Sequence, residues 1–353
     1  MSAIGQIFSE KLACFNCSGD FDLKDGALVC RQCSSRYFLA RNLISFDNAD
    51  FKSQYGSQYK EDVQSYEQSH ALDEDFSKGI ALAVKKALER VTALPVDCAL
   101  ELGCGTGVLT RGCNYHKVAQ YFMATDISQE MLGEAAKKDT SENVMYLVQD
   151  VCKLNIKSGS FDLVLGSAVL HHLPCIQSGL SEVFRVLNQK GVAVFLEPFY
   201  HGNLFVAFLM NRVIEHLRLD WRYSRKQLRA LERIINAYSE NMQYRYANRN
   251  APEKLAAFDD KHLFAPKDLK AYAEEVGFKE VEIASPWALN PSPQSQVWKE
   301  ITIEVMEALK IEAGLQRLRI DYTKVPFLNT FDDLLGDELL EHIPPQGVIV
   351  FQK

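Results

Sequence analysis

The sequence predicts an α/β protein with a doubly wound, mostly parallel sheet, preceded by a small metal-binding ribbon and carrying helical cap insertions. Three observations predict this fold class. From residue 96 onward, short apolar stretches alternate with helical ones, which is typical of a parallel sheet with helices on both faces. A glycine-rich turn follows the first apolar stretch, and two CxxC pairs lie in the first tenth of the chain.

The two CxxC pairs predict a zinc ribbon over residues 1–47. Each pair presents two thiolates from a tight turn, and the Asp25-Gly26 turn between FDLK and ALVC brings the pairs together. Because protein thiolates fill all four positions, the zinc ion is expected to be structural. Two redox or disulfide pairs are the alternative. The predicted ligands are Cys14, Cys17, Cys30 and Cys33.

Length and composition exclude several classes of protein. At 353 residues, with 47% hydrophobic and 24% charged residues, the chain is long enough for two or more globular domains. Its formal net charge of -7 gives no general attraction to nucleic acid. No apolar run approaches the roughly 20 residues that span a bilayer, and the start does not have the pattern of a secretory signal. Together with nine cysteines, these features predict a cytoplasmic protein.

Five apolar stretches are predicted to form the first part of the sheet. The intervening segments have helical patterns, which places successive strands parallel to one another. The predicted strands are Cys98–Leu102, Tyr121–Thr125, Val144–Val148, Phe161–Leu165 and Val192–Leu196, and the helices include Gln129–Lys138 and Ser178–Leu187.

The glycine-rich turn is the stretch ALELGCGTG, residues 99–107. A strand, a glycine turn and a helix in this order form the usual cradle for a nucleotide-like ligand. The spacing is GxGxG, with Val108 where a dinucleotide fingerprint would have its last glycine, so the nicotinamide interpretation is weakened. Asp126 and Asp150 close the second and third strands. Asp126 can accept both hydroxyls of a ribose and Asp150 an adenine amino group, whereas helix capping is the alternative for either residue alone.

Over Asp97–Pro198 the sequence resembles the class I S-adenosylmethionine-dependent methyltransferases, through five motifs in order. The resemblance implies a Rossmann-like, seven-stranded sheet in which the last strand is antiparallel. Lys279–Ala284 and Gly347–Gln352 are then the sixth and seventh strands. The ribbon is similar to those of ribosomal-RNA guanine methyltransferases and of the activator protein of tRNA methyltransferases.

The resemblance also assigns roles to residues around S-adenosyl-L-methionine. It implies that the glycine loop approaches the methionine part of the cofactor, with Glu101 at the base of the loop. Asp126 is expected on the ribose, Ile127 against the adenine face and Asp150 on the adenine edge. The implied cofactor contacts are Glu101, Gly103, Cys104, Gly105, Gly107, Asp126, Ile127, Asp150, Val151 and Ser167.

Seven segments follow from these assignments. In chain order they are the zinc ribbon at 1–47, a linker at 48–95 with a helix over Leu72–Val91, the cofactor half of the core at 96–200, a basic helical insertion at 201–255, a continuation of the core at 256–285, a cap insertion at 286–346 and the final strand at 347–353. The aromatic residues expected to form the wall or lid of the cap, or only to pack it, are Trp287, Trp298, Phe327 and Phe331.

Catalytic residues are harder to predict, because in-line transfer from a sulfonium needs mainly alignment and exclusion of water. A general base is needed only for an acceptor that arrives protonated. The candidates are His171, His172, Glu197 and His201, with His262 as a further one. After the fourth strand the chain reads Gly166-Ser167-Ala168-Val169. It has no Asn/Asp-Pro-Pro-aromatic turn there, which argues against methylation of adenine or glutamine amino groups.

The segment 204–250 is basic and rich in aromatic residues. Arg222, Arg225, Arg229 and Arg233 recur at helical spacing and are expected to share one face. A solvated helix hairpin, recognition of an anionic metabolite and contact with RNA phosphates all fit this pattern. A lipid surface is a further interpretation, because the stretch NLFVAFLMNRVI is apolar with arginines beyond it.

The sequence thus predicts a methyltransferase for a small-molecule acceptor, with zinc in its ribbon. An RNA methyltransferase, contacting RNA through residues 212–249, and a cofactor-binding scaffold without activity are the alternatives. The acidic total charge and the large predicted lid favour an enclosed pocket over an open RNA track. No membrane span is expected.

Overall fold

The computed structural model of the chain describes residues 3–40, 42–44, 73–290, 296–332 and 337–353. These residues form two compact units, each with its own core. The first unit comprises Met1–Glu197, Lys270–Ile283 and Val348–Lys353, and the second Pro198–Leu269 and Ala284–Gly347. The predicted linker at 48–70 lies outside the described residues.

The helices and strands are numbered in chain order. Up to residue 198 they are α1 (Ala3–Ser9), β1 (Phe21–Lys24), β2 (Ala27–Cys30), β3 (Arg36–Ala40), β4 (Leu43–Ile44), α2 (Glu74–Leu88), β5 (Val96–Leu102), α3 (Val108–Tyr115), β6 (Ala119–Asp126), α4 (Gln129–Lys138), β7 (Val144–Val148), β8 (Phe161–Ser167), a 3₁₀ turn (Leu170–His172), α5 (Ile176–Val186) and β9 (Leu187–Pro198). The remaining elements are α6 (Tyr200–Leu217), α7 (Arg225–Ala247), α8 (Pro252–Leu255), α9 (Pro266–Val276), β10 (Glu280–Ala284), α10 (Pro286–Leu289), α11 (Val297–Glu312), a 3₁₀ turn (Tyr322–Lys324), α12 (Pro326–Phe331), α13 (Asp337–His342) and β11 (Gln346–Gln352).

The sheet of the first unit has the order β1-β2-β3-β4-β7-β6-β5-β8-β9-β11-β10. The pairs β5–β6, β6–β7, β5–β8 and β8–β9 are parallel, as a doubly wound fold requires. The Rossmann-like fold is therefore confirmed. The predicted count of seven strands is not confirmed, because the sheet has eleven.

The additional strands come from the N-terminal segment, which continues the sheet. β1, β2 and β3 form an antiparallel hairpin ladder, and the two-residue strand β4 pairs in parallel with β7. Tyr146 N–H donates to the Asn42 carbonyl at 2.7 Å. Without β4, strand β7 would be an edge with unpaired backbone groups. The short strand therefore covers an edge that the seven-strand arrangement leaves open.

The helix predicted over Leu72–Val91 is observed as α2, Glu74–Leu88. It begins where the Asp73 side chain accepts the Phe76 N–H at 2.8 Å, an N-cap bond that fixes the first turn. The helix packs against α3 through a glycine, since a Cβ on Gly112 would lie 2.2 Å from the Ser77 carbonyl oxygen. The α2–α3 contact thus requires glycine at this position.

The second unit is built from both predicted insertions around one apolar core. Trp298 is fully buried. Its ring packs edge to face against the ring of Phe205 on α6, with the ring centroids 5.1 Å apart. Trp287, Phe327 and Phe331 pack against the same core. The cap aromatics therefore stabilise the unit that they belong to.

Two predictions for the basic segment need correction. Val206, Met210 and Val213 of α6 are buried in the core of the second unit, whereas Phe208 is exposed, so this stretch does not present a continuous apolar face to lipid. Helix α7 begins at Arg225, so Arg222 lies in the preceding loop and not on the helix face. Among the described residues, no helix is both long and apolar enough to cross a bilayer.

Candidate active site

The glycine loop joins β5 to α3 in a left-handed backbone conformation. Gly103, Gly105 and Gly107 have φ values of 62°, 53° and 79°, a region that favours glycine. A Cβ on Gly103 would lie 2.6 Å from Cγ2 of Val169, and a Cβ on Gly107 would lie 3.2 Å from the hydroxyl of Tyr146. A Cβ on Gly105 would meet nothing within 4 Å. Gly105 is therefore the glycine of this loop that faces open space.

Asp126 ties the loop to the end of β6. Its Oδ2 accepts the Gly105 N–H at 2.8 Å, and its Oδ1 accepts the Ser128 N–H at 2.8 Å. The side chain is only partly buried, and each oxygen has a second lone pair. Burial raises the pKa of Asp126, whereas the backbone N–H donors act in the opposite direction. The partly exposed carboxylate can therefore still accept hydrogen bonds from the hydroxyl groups of a ligand.

Glu101 lies beneath the loop and is fully enclosed. It is 1% exposed, and its Oε2 accepts a hydrogen bond from the Thr110 hydroxyl on α3. Burial raises the pKa of Glu101 to about 7, while the Thr110 hydroxyl lowers it. Thr110 was not anticipated from the sequence. Its place in the first turn of α3, directly after the glycine loop, is the signal that could have identified it.

Asp150 lies at the end of β7, beside the strand that carries Asp126. Its Oδ1 accepts the Cys152 N–H at 2.8 Å, which leaves its second oxygen with full accepting capacity on a partly exposed side chain. Ile127 is also partly exposed, whereas Val151 is buried. The structure thus places Asp126 and Asp150, which are predicted to bind the ribose and the adenine, at neighbouring strand ends of one sheet.

The turn after β8 is held by one carboxylate. Glu197, at the end of β9, is 1% exposed. Its Oε1 accepts the backbone N–H groups of Val169 at 3.0 Å and Leu170 at 2.7 Å. Its Oε2 accepts the His171 backbone N–H at 3.3 Å and lies 2.7 Å from His171 Nδ1. Glu197 therefore orients the turn on which both predicted histidines lie.

The predicted histidines are found in different environments. The His171 ring is buried, and its centroid lies 4.1 Å from that of His172, which is partly exposed. Ser167 is partly exposed at the end of β8, followed by Ala168 at a φ of 55°. His201 belongs to the second unit and is exposed in the first turn of α6. The structure brings His171, His172 and Glu197 together.

The N-terminal cysteines form one cluster. The ligand atoms of Cys14, Cys17, Cys30 and Cys33 all lie within 4.8 Å of one another. The Sγ atoms are 3.5 Å apart in the pairs Cys14–Cys33 and Cys17–Cys30, too far for a disulfide. Ser18 and Ser34, directly after the two CxxC turns, both have positive φ, at 59° and 61°. The two turns therefore have matching shapes.

Glu101 generates a prediction on stability. Its pKa of about 7 in the folded chain lies above the ordinary value of 4.5, so between these pH values the folded state holds a proton that the unfolded state has released. Stability of the ligand-free protein should fall as pH rises through this window, by on the order of 3 kcal/mol from this group. Glu101→Gln should therefore stabilise the protein more at pH 8 than at pH 5, relative to wild type, in urea unfolding.

The exposed Glu142→Gln is the matched control for Glu101→Gln and should show no such pH dependence. If the free energies of unfolding of Glu101→Gln and wild type differ by the same amount at pH 5 and pH 8, the raised pKa assigned to Glu101 is contradicted.

Comparison with known proteins gives the class of the domain. Residues 100–195 match a family described as a methyltransferase domain. An uncharacterised methyltransferase of Mycobacterium bovis (strain ATCC BAA-935 / AF2122/97) is 26% identical over 142 residues, which are 39% of this chain and 71% of the relative. The aklanonic acid methyltransferase of Streptomyces sp. (strain C5) is 26% identical over 208 residues, 52% of this chain and 87% of the relative.

Among solved structures, the Haemonchus contortus phosphoethanolamine N-methyltransferase 2 in complex with S-adenosyl-L-methionine superposes with a TM-score of 0.43 at 17% identity. The superposition covers 76% of this chain and 52% of the other, so the chain spans about half of that protein. The family match and the sequence relatives show a methyltransferase domain over residues 100–195, which confirms the enzyme class predicted from the sequence.

Proposed function

We propose that the protein methylates a small-molecule acceptor, and that the strand ends of the first unit hold S-adenosylmethionine. The observation that carries the proposal is Asp126, whose two carboxylate oxygens are fixed by the backbone N–H groups of Gly105 and Ser128 while the side chain stays partly exposed. The relative named for aklanonic acid supports a small acceptor, since 87% of its length aligns with this chain.

The residues present fit this cofactor. Asp126 would accept the ribose hydroxyls, Asp150 the adenine amino group, and Ile127 would lie against the ring. The buried Thr106 hydroxyl and the buried Gln149 amide nitrogen have no hydrogen-bond partner within the described chain; Thr106 follows Gly105 of the loop, and Gln149 precedes Asp150. Buried polar groups are normally paired, so the unpaired Thr106 hydroxyl, next to the loop glycine that faces open space, supports a polar ligand at the loop.

When bound, this cofactor supplies a methyl group on a positively charged sulfur, which needs no further activation. The role of the chain is to align the acceptor and to exclude water. Glu197 is a positioning residue in this proposal, because its hydrogen bonds to residues that the structure describes go to the turn after β8. Glu197 Oε2 lies 2.7 Å from His171 Nδ1 and so orients that ring, while a role of His171 as a base for a hydroxyl acceptor stays a prediction. His172 and His201 stay predictions as further bases.

The cofactor assignment is tested by calorimetric titration with S-adenosylhomocysteine. We expect binding to wild type and at least tenfold weaker binding to Asp126→Ala, because a hydrogen bond to a charged group contributes about 1.5–3 kcal/mol. Asp126→Asn, which keeps the shape of the side chain, separates loss of charge from loss of fold. Asp75→Ala, at an exposed position on α2, is the control. Equal affinity of wild type and Asp126→Ala, with both folded, would refute the role of Asp126.

The acceptor class is tested with cofactor carrying a labelled methyl group and fractionated cell extract. We expect the label in low-mass material and unchanged incorporation after ribonuclease treatment. Label in RNA would support the alternative of an RNA methyltransferase, which the exposed Arg225, Arg229 and Arg233 of α7 favour. Tight binding of S-adenosylhomocysteine without transfer to any fraction would support the non-catalytic scaffold.

We further propose that the cysteine cluster holds a structural zinc ion. Tetrahedral thiolates about 2.3 Å from zinc lie about 3.8 Å from one another, and the observed sulfur spacings of 3.5 Å to at most 4.8 Å bracket this value. Four protein thiolates leave no position for a substrate. The proposed ion would therefore stabilise the ribbon and take no part in methyl transfer.

Elemental analysis of purified protein should give one zinc ion per chain. Cys17→Ser should lose the ion and lower the melting temperature, because a structural site contributes directly to folding. Cys175→Ser is the matched control, since both cysteines are exposed and Cys175 lies outside the cluster. Retention of stoichiometric zinc in Cys17→Ser, or its loss in Cys175→Ser, would contradict the assignment.

A further inference from the structure

The loop between α6 and α7 holds two large apolar side chains in solvent. Trp221 is 94% exposed and Leu219 is 86% exposed. None of the other large hydrophobic side chains that the structure describes is more than 63% exposed. Single apolar residues on a surface are common, but two nearly complete exposures on one short loop are not.

This loop is a fixed turn. Asp220 Oδ1 accepts the Arg222 N–H at 3.0 Å, and the Asp220 carbonyl accepts the Tyr223 N–H at 3.2 Å. Tyr223 is buried, and its hydroxyl accepts the Asp321 N–H at 3.0 Å. These hydrogen bonds and the buried Tyr223 therefore fix the backbone on which Trp221 is exposed.

Three arginines line a groove that begins at Arg222, the residue after Trp221. Arg222, Arg317 and Arg319 line a groove of about 460 Å³ together with Gln227, and all belong to the second unit. Arg222 binds Asp220. Arg317 and Arg319 are exposed and form no ion pair with any residue that the structure describes. Their positive charge is therefore available to an anionic partner.

We propose that this surface, defined by Leu219, Trp221, Arg222, Arg317 and Arg319, docks on a bilayer of anionic lipid. Tryptophan and leucine are suited to the boundary between headgroups and acyl chains, where an indole keeps its N–H in the polar layer. Guanidinium groups bind lipid phosphates through charge-assisted hydrogen bonds. An aliphatic side chain beside the tryptophan favours insertion into lipid over base stacking, since leucine has no ring to stack on a nucleobase.

Flotation with vesicles tests the proposal on the full chain. We expect binding to phosphatidylcholine vesicles that contain phosphatidylglycerol, weaker binding at high salt, and little binding to phosphatidylcholine alone. Arg317→Gln/Arg319→Gln should lower partitioning at least tenfold, because each basic residue near an anionic surface adds to the attraction. Arg90→Gln/Lys190→Gln removes the same charge from exposed positions elsewhere and should leave binding unchanged.

Tryptophan fluorescence reports insertion directly. The chain has three tryptophans, of which Trp298 is fully buried and Trp287 partly buried. Emission should shift to the blue on anionic vesicles in wild type and not in Trp221→Phe. The proposal is overturned if folded wild type does not bind anionic vesicles at low salt, or if the arginine variant binds as wild type does. A response of Trp221 to single-stranded RNA but not to vesicles would also overturn it.

Discussion

The site of the first unit depends on the hydrogen bond between Asp126 and the Gly105 N–H. The same carboxylate accepts from Ser128, so one side chain connects the β5–α3 loop, the end of β6 and the start of α4. The backbone of Asp126 extends the connection, because its carbonyl accepts the Gln149 N–H at 2.9 Å. Three neighbouring strand ends are thereby held in fixed register, and this register places Asp126 and Asp150 side by side.

Glu197 performs the equivalent task on the other side of the loop. It fixes the turn after β8 from the end of β9, and Val169 of that turn packs against Gly103 so closely that no Cβ fits between them. The glycine loop therefore meets a neighbour on each flank, Asp126 on one and Val169 on the other. Gly103 is required by the protein's own packing, and the open space above Gly105 remains for a ligand.

How much of the structure the sequence could predict depends on how far apart in the sequence the interacting residues lie. Strands such as Val144–Val148 and the helix Gln129–Lys138 were predicted with their observed bounds, because local apolar patterns determine them. Strand β4 has two residues and no pattern of its own, so the eleven-stranded sheet could not be predicted. The bonds of Glu197 span 26 to 28 residues, and nothing in its local sequence distinguishes a positioning carboxylate from a base. Likewise, an apolar stretch such as α6 does not reveal whether protein or lipid covers it.

The N-terminal segment is connected to the same region by short backbone contacts. Ala13, beside Cys14, donates its N–H to the Asn155 carbonyl at 3.0 Å. The Asn155 N–H donates to Gln149 Oε1 at 2.8 Å, and Gln149 directly precedes Asp150. The first CxxC turn is thus two hydrogen bonds from the residue proposed for the adenine edge. Order in the cysteine cluster therefore supports order at this strand end, which gives a physical reason for a ribbon that continues the sheet.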